Sequence, residues 1–313
     1  MRISREERKN TARELIRFLE ESPTCFHAVK NLARELEAAG FEELKENEVW
    51  NLSEHKNYYV TRNQSSIIAF RLPSKEFKGY QIMASHSDSP TFKIKENPEM
   101  EAEKQYIKLN VEKYGGMLCA PWFGRPLSVA GRLVVREGER LVTKLVNADR
   151  DLLMIPNLAI HMNREVNDGY KYNAQVDMLP LYGTMEAKGT FMKTMAEEAG
   201  VKEEDILGHD LFLYNRMPGT IWGAEDDFVS CGRLDDLQCA FASLKGILAG
   251  GHPSSVSVMA VLDNEEVGSG TKQGADSTFL EDVLKRINRG LGRSEEQYLM
   301  ALSSSFMVSA DNA

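Results

Sequence analysis

Long apolar runs are missing from these 313 residues, and so is any excess of positive charge. A helix needs about 18 apolar residues in a row to cross a bilayer, and no stretch approaches that length, so no membrane partner is expected. Lys and Arg number 38 against 47 Asp and Glu, a formal net charge of −9, which argues against nucleic acid or an anionic membrane surface. Only four cysteines occur, Cys25, Cys119, Cys231 and Cys239, and none stands in a CxxC spacing. That usage fits reduced thiols in a cytoplasmic protein, each reading as a small core residue and not as a ligand. The opening residues, MRISREERKNTARELIRF, hold no apolar segment of the kind that marks a secretory signal. Internal repeats and low-complexity tracts are absent too. What remains is an ordinary globular composition, 42% hydrophobic and 27% charged, long enough for one large domain or two modest ones.

The pattern of apolar residues organises that length. Ala12, Leu15, Ile16, Phe18 and Leu19 recur at helical spacing, and after the Ser22-Pro23-Thr24 break a second helix is expected up to Gly40. Strand-like runs follow at 58–61, 66–72 and 79–85, the last ending in His86-Ser87-Asp88-Ser89-Pro90. From about Phe92 to Asp227 alternating runs such as 106–112 and 131–136 predict an inserted, mainly antiparallel β domain, with a short helix at 197–207 and a strand at 210–214. The α/β pattern resumes at Gly232. A helix over 234–249 opens on Asp235-Asp236, and the run Val256–Leu262 reads as a buried strand that stops abruptly at Asp263-Asn264-Glu265-Glu266. A helix is expected over 275–287, a polar stretch over 288–297, and a strand over 303–309 that leads into Asp311. The expected class is α/β: a mixed-sheet catalytic domain from 1–91 and 228–313, interrupted by the insert at 92–227.

Four polar clusters thus fall at strand ends or a helix start: His86/Asp88, Asp235/Asp236, Glu265/Glu266 and Asp311. Ligands and catalytic groups in open α/β sheets gather at the carboxyl ends of strands. One imidazole with several carboxylates suits a divalent ion such as Zn²⁺, or two ions sharing a carboxylate. Such ions would offset the repulsion between adjacent carboxylates and lower the pKa of a nearby water. Adjacent glutamates suit a division of labour, one on metal and one accepting a proton. Each cluster also has a plain structural reading. A single HxD arises by chance, an Asp pair caps a helix, and a Glu pair is at home in a solvated turn. Four together at chemically sensible positions favour a site.

The segments ASHSDSPTFKIK (84–95), RLDDL (233–237), LDNEEVGSGT (262–271) and SADNA (309–313) resemble the M18 family of metallopeptidases, the aspartyl aminopeptidase type. PWFGRPLSVAGR (121–132) and IPNLAIHMNR (155–164) resemble that family's inserted domain, so the likeness runs through the chain in the family's order. The resemblance implies a dizinc exopeptidase fold and an aminopeptidase that removes the N-terminal residue of peptides, with a preference for acidic N-terminal residues. It also implies a homo-oligomer, a dodecamer in the family, assembled through the insert. Carried over to this chain, His86 and Asp311 would bind one zinc, Glu266 the other, and Asp235 would bridge both. Asp88 would orient the His86 imidazole. Glu265 would be the general base. His161 would reach a neighbouring subunit's active site and help stabilise the transition state there; otherwise it is an ordinary histidine at the end of an apolar run.

One departure accompanies the likeness. The family places a further histidine ligand downstream, on the zinc of Glu266, and none of His27, His55, His161, His209 or His252 stands in a matching motif. Together with a sequence that stops directly after a strand, this predicts a C-terminally shortened chain with one complete and one partial zinc site, and reduced or absent activity. Two other readings stay open at this level, a related dizinc deacylase or carboxypeptidase, and a non-catalytic peptide-binding or assembly module.

Overall fold

The chain separates into two units in the computed structural model, which describes residues 4–312: the first runs to Ser89 and resumes at Gly219, and the second is Pro90–Pro218. The first unit begins with helices α1 (Arg5–Glu21) and α2 (Cys25–Ala38), followed by strands β1 (Glu42–Leu44), β2 (Asn57–Arg62), β3 (Ser66–Arg71) and β4 (Tyr80–His86). Helix α1 starts on a capping box, in which the Ser4 hydroxyl accepts from the Glu7 N–H and the Glu7 carboxylate from the Ser4 N–H.

The second unit is mainly β. It comprises β5 (Thr91–Ala102), β6 (Tyr106–Tyr114), β7 (Leu127–Glu137), β8 (Arg140–Asn147), β9 (Leu181–Thr184), helix α3 (Phe191–Ala199) and β10 (Ile206–Asn215). The strands form one antiparallel sheet in the order β8-β7-β10-β5-β6-β9 over a core that includes Phe92, Leu109, Val129, Leu133, Phe191 and Leu211. Gly131 is required where β7 meets β10, because a Cβ there would lie 2.0 Å from the Asp210 carbonyl oxygen. The helix expected at 197–207 lies earlier. Gly200, at φ 66°, ends α3 with a left-handed cap, and the residues after it turn into β10.

The first unit resumes with a hairpin, β11 (Thr220–Trp222) and β12 (Phe228–Ser230), then α4 (Leu234–Ala249), β13 (Val256–Leu262), α5 (Phe279–Gly290), α6 (Glu295–Ser303) and β14 (Phe306–Ser309). The sequence reading put the boundaries of the insert at 92 and 227, whereas the units change at 90 and 219. Residues 219–227 belong with the first unit because α1 holds them. The Gly219 N–H donates to Glu20, Lys9 pairs with Asp226 and Arg5 with Glu225. Helix α6 replaces the end of the expected polar stretch, and it starts on a second capping box, Ser294-Glu-Glu-Gln297.

The sheet of the first unit is mixed, in the order β1-β2-β3-β13-β4-β14. Strand β13 lies inside it, antiparallel to β3 and parallel to β4, and both of its faces are covered. Val256, Val258, Ala260 and Leu262 pack toward Phe279, Val283, Ile287 and Tyr298, while Met259 and Val261 pack toward Leu19, Leu32, Leu237 and Phe241. A strand buried on both faces reads as an unbroken apolar run, and for that reason it was recognisable. Because β4, β13 and β14 are parallel, their carboxyl ends share one side of the sheet. Among the described residues no helix is long and apolar enough to cross a membrane.

Candidate metal centre

The site is built on that shared end of the sheet. His86 is the last residue of β4 and pairs in register with Leu262, so the turn after β13 opens beside it. Ser309 pairs with Ala84, and the Ala310 N–H donates to the Ala84 carbonyl, which carries Asp311 to the same edge. The start of α4 is held there by Ser89, whose hydroxyl donates to the Asp235 carbonyl at 2.6 Å. Asp235 and Asp236 depart from helical dihedrals, and their side chains take up different roles.

His86 is buried, and its two ring nitrogens face different partners. Nδ1 lies 3.2 Å from the Asp88 carboxylate. The same carboxylate accepts the backbone N–H groups of Glu265 and Glu266, each at 3.3 Å, so one side chain orients the imidazole and holds the glutamate turn against it. Nε2 faces four carboxylate oxygens: Asp235 Oδ1 at 3.2 Å, Asp311 Oδ1 at 3.5 Å, Asp236 Oδ2 at 3.9 Å and Glu265 Oε2 at 4.0 Å. Neither Nε2 nor Asp235 Oδ1 is exposed to water, and neither makes a hydrogen bond of acceptable geometry. A buried polar atom left this way costs about 1–3 kcal/mol. A cation between the ring nitrogen and the carboxylates removes that cost for all of them at once, and the donor set is one that zinc accepts. The ligand atoms form two overlapping groups, His86 with Asp235, Asp236 and Asp311, and His86 with Glu265 and Glu266.

The electrostatics follow from crowding. Burial pushes the Glu266 carboxyl up to about 7, with the charges of Asp235 and Asp88 adding to it. Burial raises Asp235 as well, with Asp311 and Asp88 contributing in the same sense against the lowering effect of His86. For His86 burial acts downward, but the hydrogen bond and charge of Asp88, with Asp236 and Asp235 behind it, outweigh that and raise the ring to about 9. Without metal the ring therefore keeps its proton below about pH 9, and a cation must displace it. Zinc binding at pH 7–8 is expected to release at least one proton, and the apparent affinity to rise with pH until about 9. Calorimetry in buffers of different ionisation enthalpy measures this directly; a binding heat independent of buffer would contradict it.

The structure thus brings together His86, Asp88, Asp235, Glu265, Glu266 and Asp311, all within the first unit. His161 belongs to the second unit, exposed in a short 3-10 turn, Ile160–Met162. Among the described residues no other histidine joins the cluster. Residues outside the four polar clusters support the site as well. Gln273 donates to Asn264 Oδ1 at 2.7 Å, and Thr271 donates to the same oxygen at 2.7 Å. That clamps Asn264 in its left-handed conformation, from which the glutamate turn departs. Asp263 beneath it is buried and raised to about 6, by burial first and by the Asp88 charge second. The one signal for these residues was their proximity in sequence to Glu265.

A family model described as aminopeptidase I zinc metalloprotease (M18) matches residues 18–313. The chain belongs to the M18 family. It is 47% identical over 311 residues to a probable M18 family aminopeptidase 2 of Clostridium novyi, covering 96% of this chain and 72% of that protein. A namesake in Clostridium acetobutylicum is 47% identical over 310 residues with the same coverage. Among solved structures, a chain of the Ape4 and Nbr1 complex superposes with a TM-score of 0.93 at 34% identity, spanning all of this chain and 66% of that one. The mApe1 dodecamer of S. cerevisiae matches with a TM-score of 0.82 at 27% identity, over 98% of this chain and 72% of that one. This M18 chain is accordingly of the metal-dependent aminopeptidase class, and the donor set around His86 suits the family's zinc.

Proposed function

We propose that this M18 chain removes the N-terminal residue from peptides with a free α-amino group. The observation that carries the proposal is the convergence of buried, unpartnered His86 Nε2 and Asp235 Oδ1 with the Asp311 and Glu265 carboxylates. In this reading His86, Asp235 and Asp311 would hold one zinc, and Asp235 and Glu266 a second. When bound, zinc supplies Lewis acidity toward a water and a carbonyl oxygen. Asp88 keeps the His86 ring in one orientation through Nδ1. The Glu265 carboxylate, half-exposed beside the cluster, accepts the proton of the attacking water and returns it to the leaving amine. Unengaged carboxylate would hold the substrate's α-ammonium group.

The same reading extends to assembly. This chain forms a homo-oligomer, in keeping with the dodecamer of S. cerevisiae mApe1, and the exposed His161 would act in a neighbouring copy and support the transition state there. A cytoplasmic location is part of it, supported by Cys119, Cys231 and Cys239 remaining thiols. A substrate panel tests the proposal. Zinc-loaded protein should release Asp, Glu or neutral residues from free peptides, acidic ones fastest, and act on N-acetylated analogues at least about 100-fold more slowly. Equal rates on blocked and free peptides would favour the deacylase or carboxypeptidase reading, and no turnover with zinc bound would favour the non-catalytic one.

A further inference from the structure

Asp236, the neighbour of the bridging aspartate, is wholly buried, yet among the described residues no lysine or arginine forms an ion pair with it. Burying a carboxylate is costly unless its lone pairs are satisfied, and here the donors come from three separate parts of the fold. The backbone N–H of His86, at the end of β4, donates to Oδ2 at 3.1 Å. The side-chain amide of Asn312, in the loop after β14, lies 3.4 Å from Oδ1 and also donates to the Leu234 carbonyl at 2.7 Å. The thiol of Cys239, on α4 itself, supplies a further hydrogen bond.

We propose that Asp236 is a positioning residue for the metal centre: its carboxylate locks the backbone of His86, the helix start bearing Asp235 and the loop bearing Asp311 into one ligand frame. The inference rests on the reading of His86, Asp235 and Asp311 as metal ligands. Asp236 itself is not a ligand in this assignment, although Oδ2 lies 3.9 Å from His86 Nε2, because its oxygens are already engaged by donors. The role needs a group that accepts on both oxygens. Asparagine has the same shape but turns one of those positions into a donor, which would face the Asn312 amide, the Cys239 thiol or the His86 N–H.

Asp236→Asn is therefore expected to fold and to bind zinc about 10- to 100-fold more weakly, the range found when groups behind metal ligands are altered. Zinc dissociation constants from chelator competition read this without reference to turnover. The absorption spectrum of the cobalt-substituted protein should shift at the same time, because the ligand geometry relaxes. The double variant Cys239→Ala/Asn312→Ala, which removes two donors and leaves the carboxylate, should show the same spectral shift with a smaller loss of affinity. His86→Ala provides the reference. If zinc affinity is unchanged in His86→Ala, the ligand assignment falls and this proposal falls with it. If His86→Ala weakens binding but Asp236→Asn stays within about threefold of the parent, the positioning role alone is overturned. Should Asp236→Asn fail to fold, unchanged zinc affinity and cobalt spectrum in the double variant overturn it equally.

Discussion

Glu265→Gln is expected to lower kcat of the zinc-loaded protein by roughly a hundred- to ten-thousand-fold, the range that general-base catalysis contributes. KM and zinc content should hardly change. The turn carrying Glu265 is fixed by its backbone N–H on Asp88 and by the Asn264 clamp, neither of which involves the Glu265 carboxylate. Glutamine fills the same space and keeps a carbonyl oxygen, but it cannot take up a proton at neutral pH. Glu266→Gln provides the contrast. Its carboxyl lies in the more desolvated position, raised to about 7, and its loss should appear first as weaker metal binding. Steady-state kinetics with metal analysis on the same samples separates the two outcomes. A Glu265→Gln protein that turns over at the parent rate would end the assignment of Glu265 as base.

Asp235→Ala should be the most damaging change to metal binding, with zinc affinity reduced beyond the roughly 100-fold that marks groups behind the ligands. Asp235 Oδ1 is the carboxylate oxygen nearest His86 Nε2, and the half-exposed side chain also bears on Glu266. Removing it withdraws a ligand from both proposed positions. Among the described residues, His86, Asp235 and Asp311 would serve one ion in this reading, and Asp235 and Glu266 the other. The parent chain is expected to hold one zinc tightly and a second more weakly, Glu266→Ala to lose only the weaker ion, and Asp235→Ala to lose both. Native mass spectrometry across a zinc titration would show this directly. Stoichiometric zinc in Asp235→Ala would sink the bridging role, and two equally tight ions in the parent would sink the asymmetry.

Val256–Leu262 was legible because a strand covered on both faces must be apolar throughout, and local chemistry is all that such a run requires. Helix α4 was legible from its apolar spacing, but the departure of Asp235 and Asp236 from helical dihedrals inside its first turn was not. Helix α6 begins inside the expected polar stretch and runs past it; Ser294 and Gln297 carry its capping signal, but its amphipathic pattern is too weak to mark a helix. Residues 219–227 read as part of the insert because the groups that hold them, Arg5, Lys9 and Glu20, lie some two hundred positions away along the chain.

The candidate site divides in the same way. By itself the sequence determined the chemical types and their local order: a histidine and an aspartate after one strand, paired glutamates after another, an aspartate pair at a helix start, and the family to which those segments belong. Only the tertiary structure decided how Asp236 is used, the neighbour of the aspartate that the family resemblance singles out: it is buried beneath the backbone of His86. It also decided that Asp88 ties the imidazole to the glutamate turn, and that Gln273 and Asn312 support the cluster. The physical reason is that side-chain identity is written locally, whereas the parallel alignment of β4, β13 and β14 is a property of the whole sheet: it brings residues 86, 265, 266 and 311 to one edge, where Ser89 and Asn312 hold the start of α4 with Asp235.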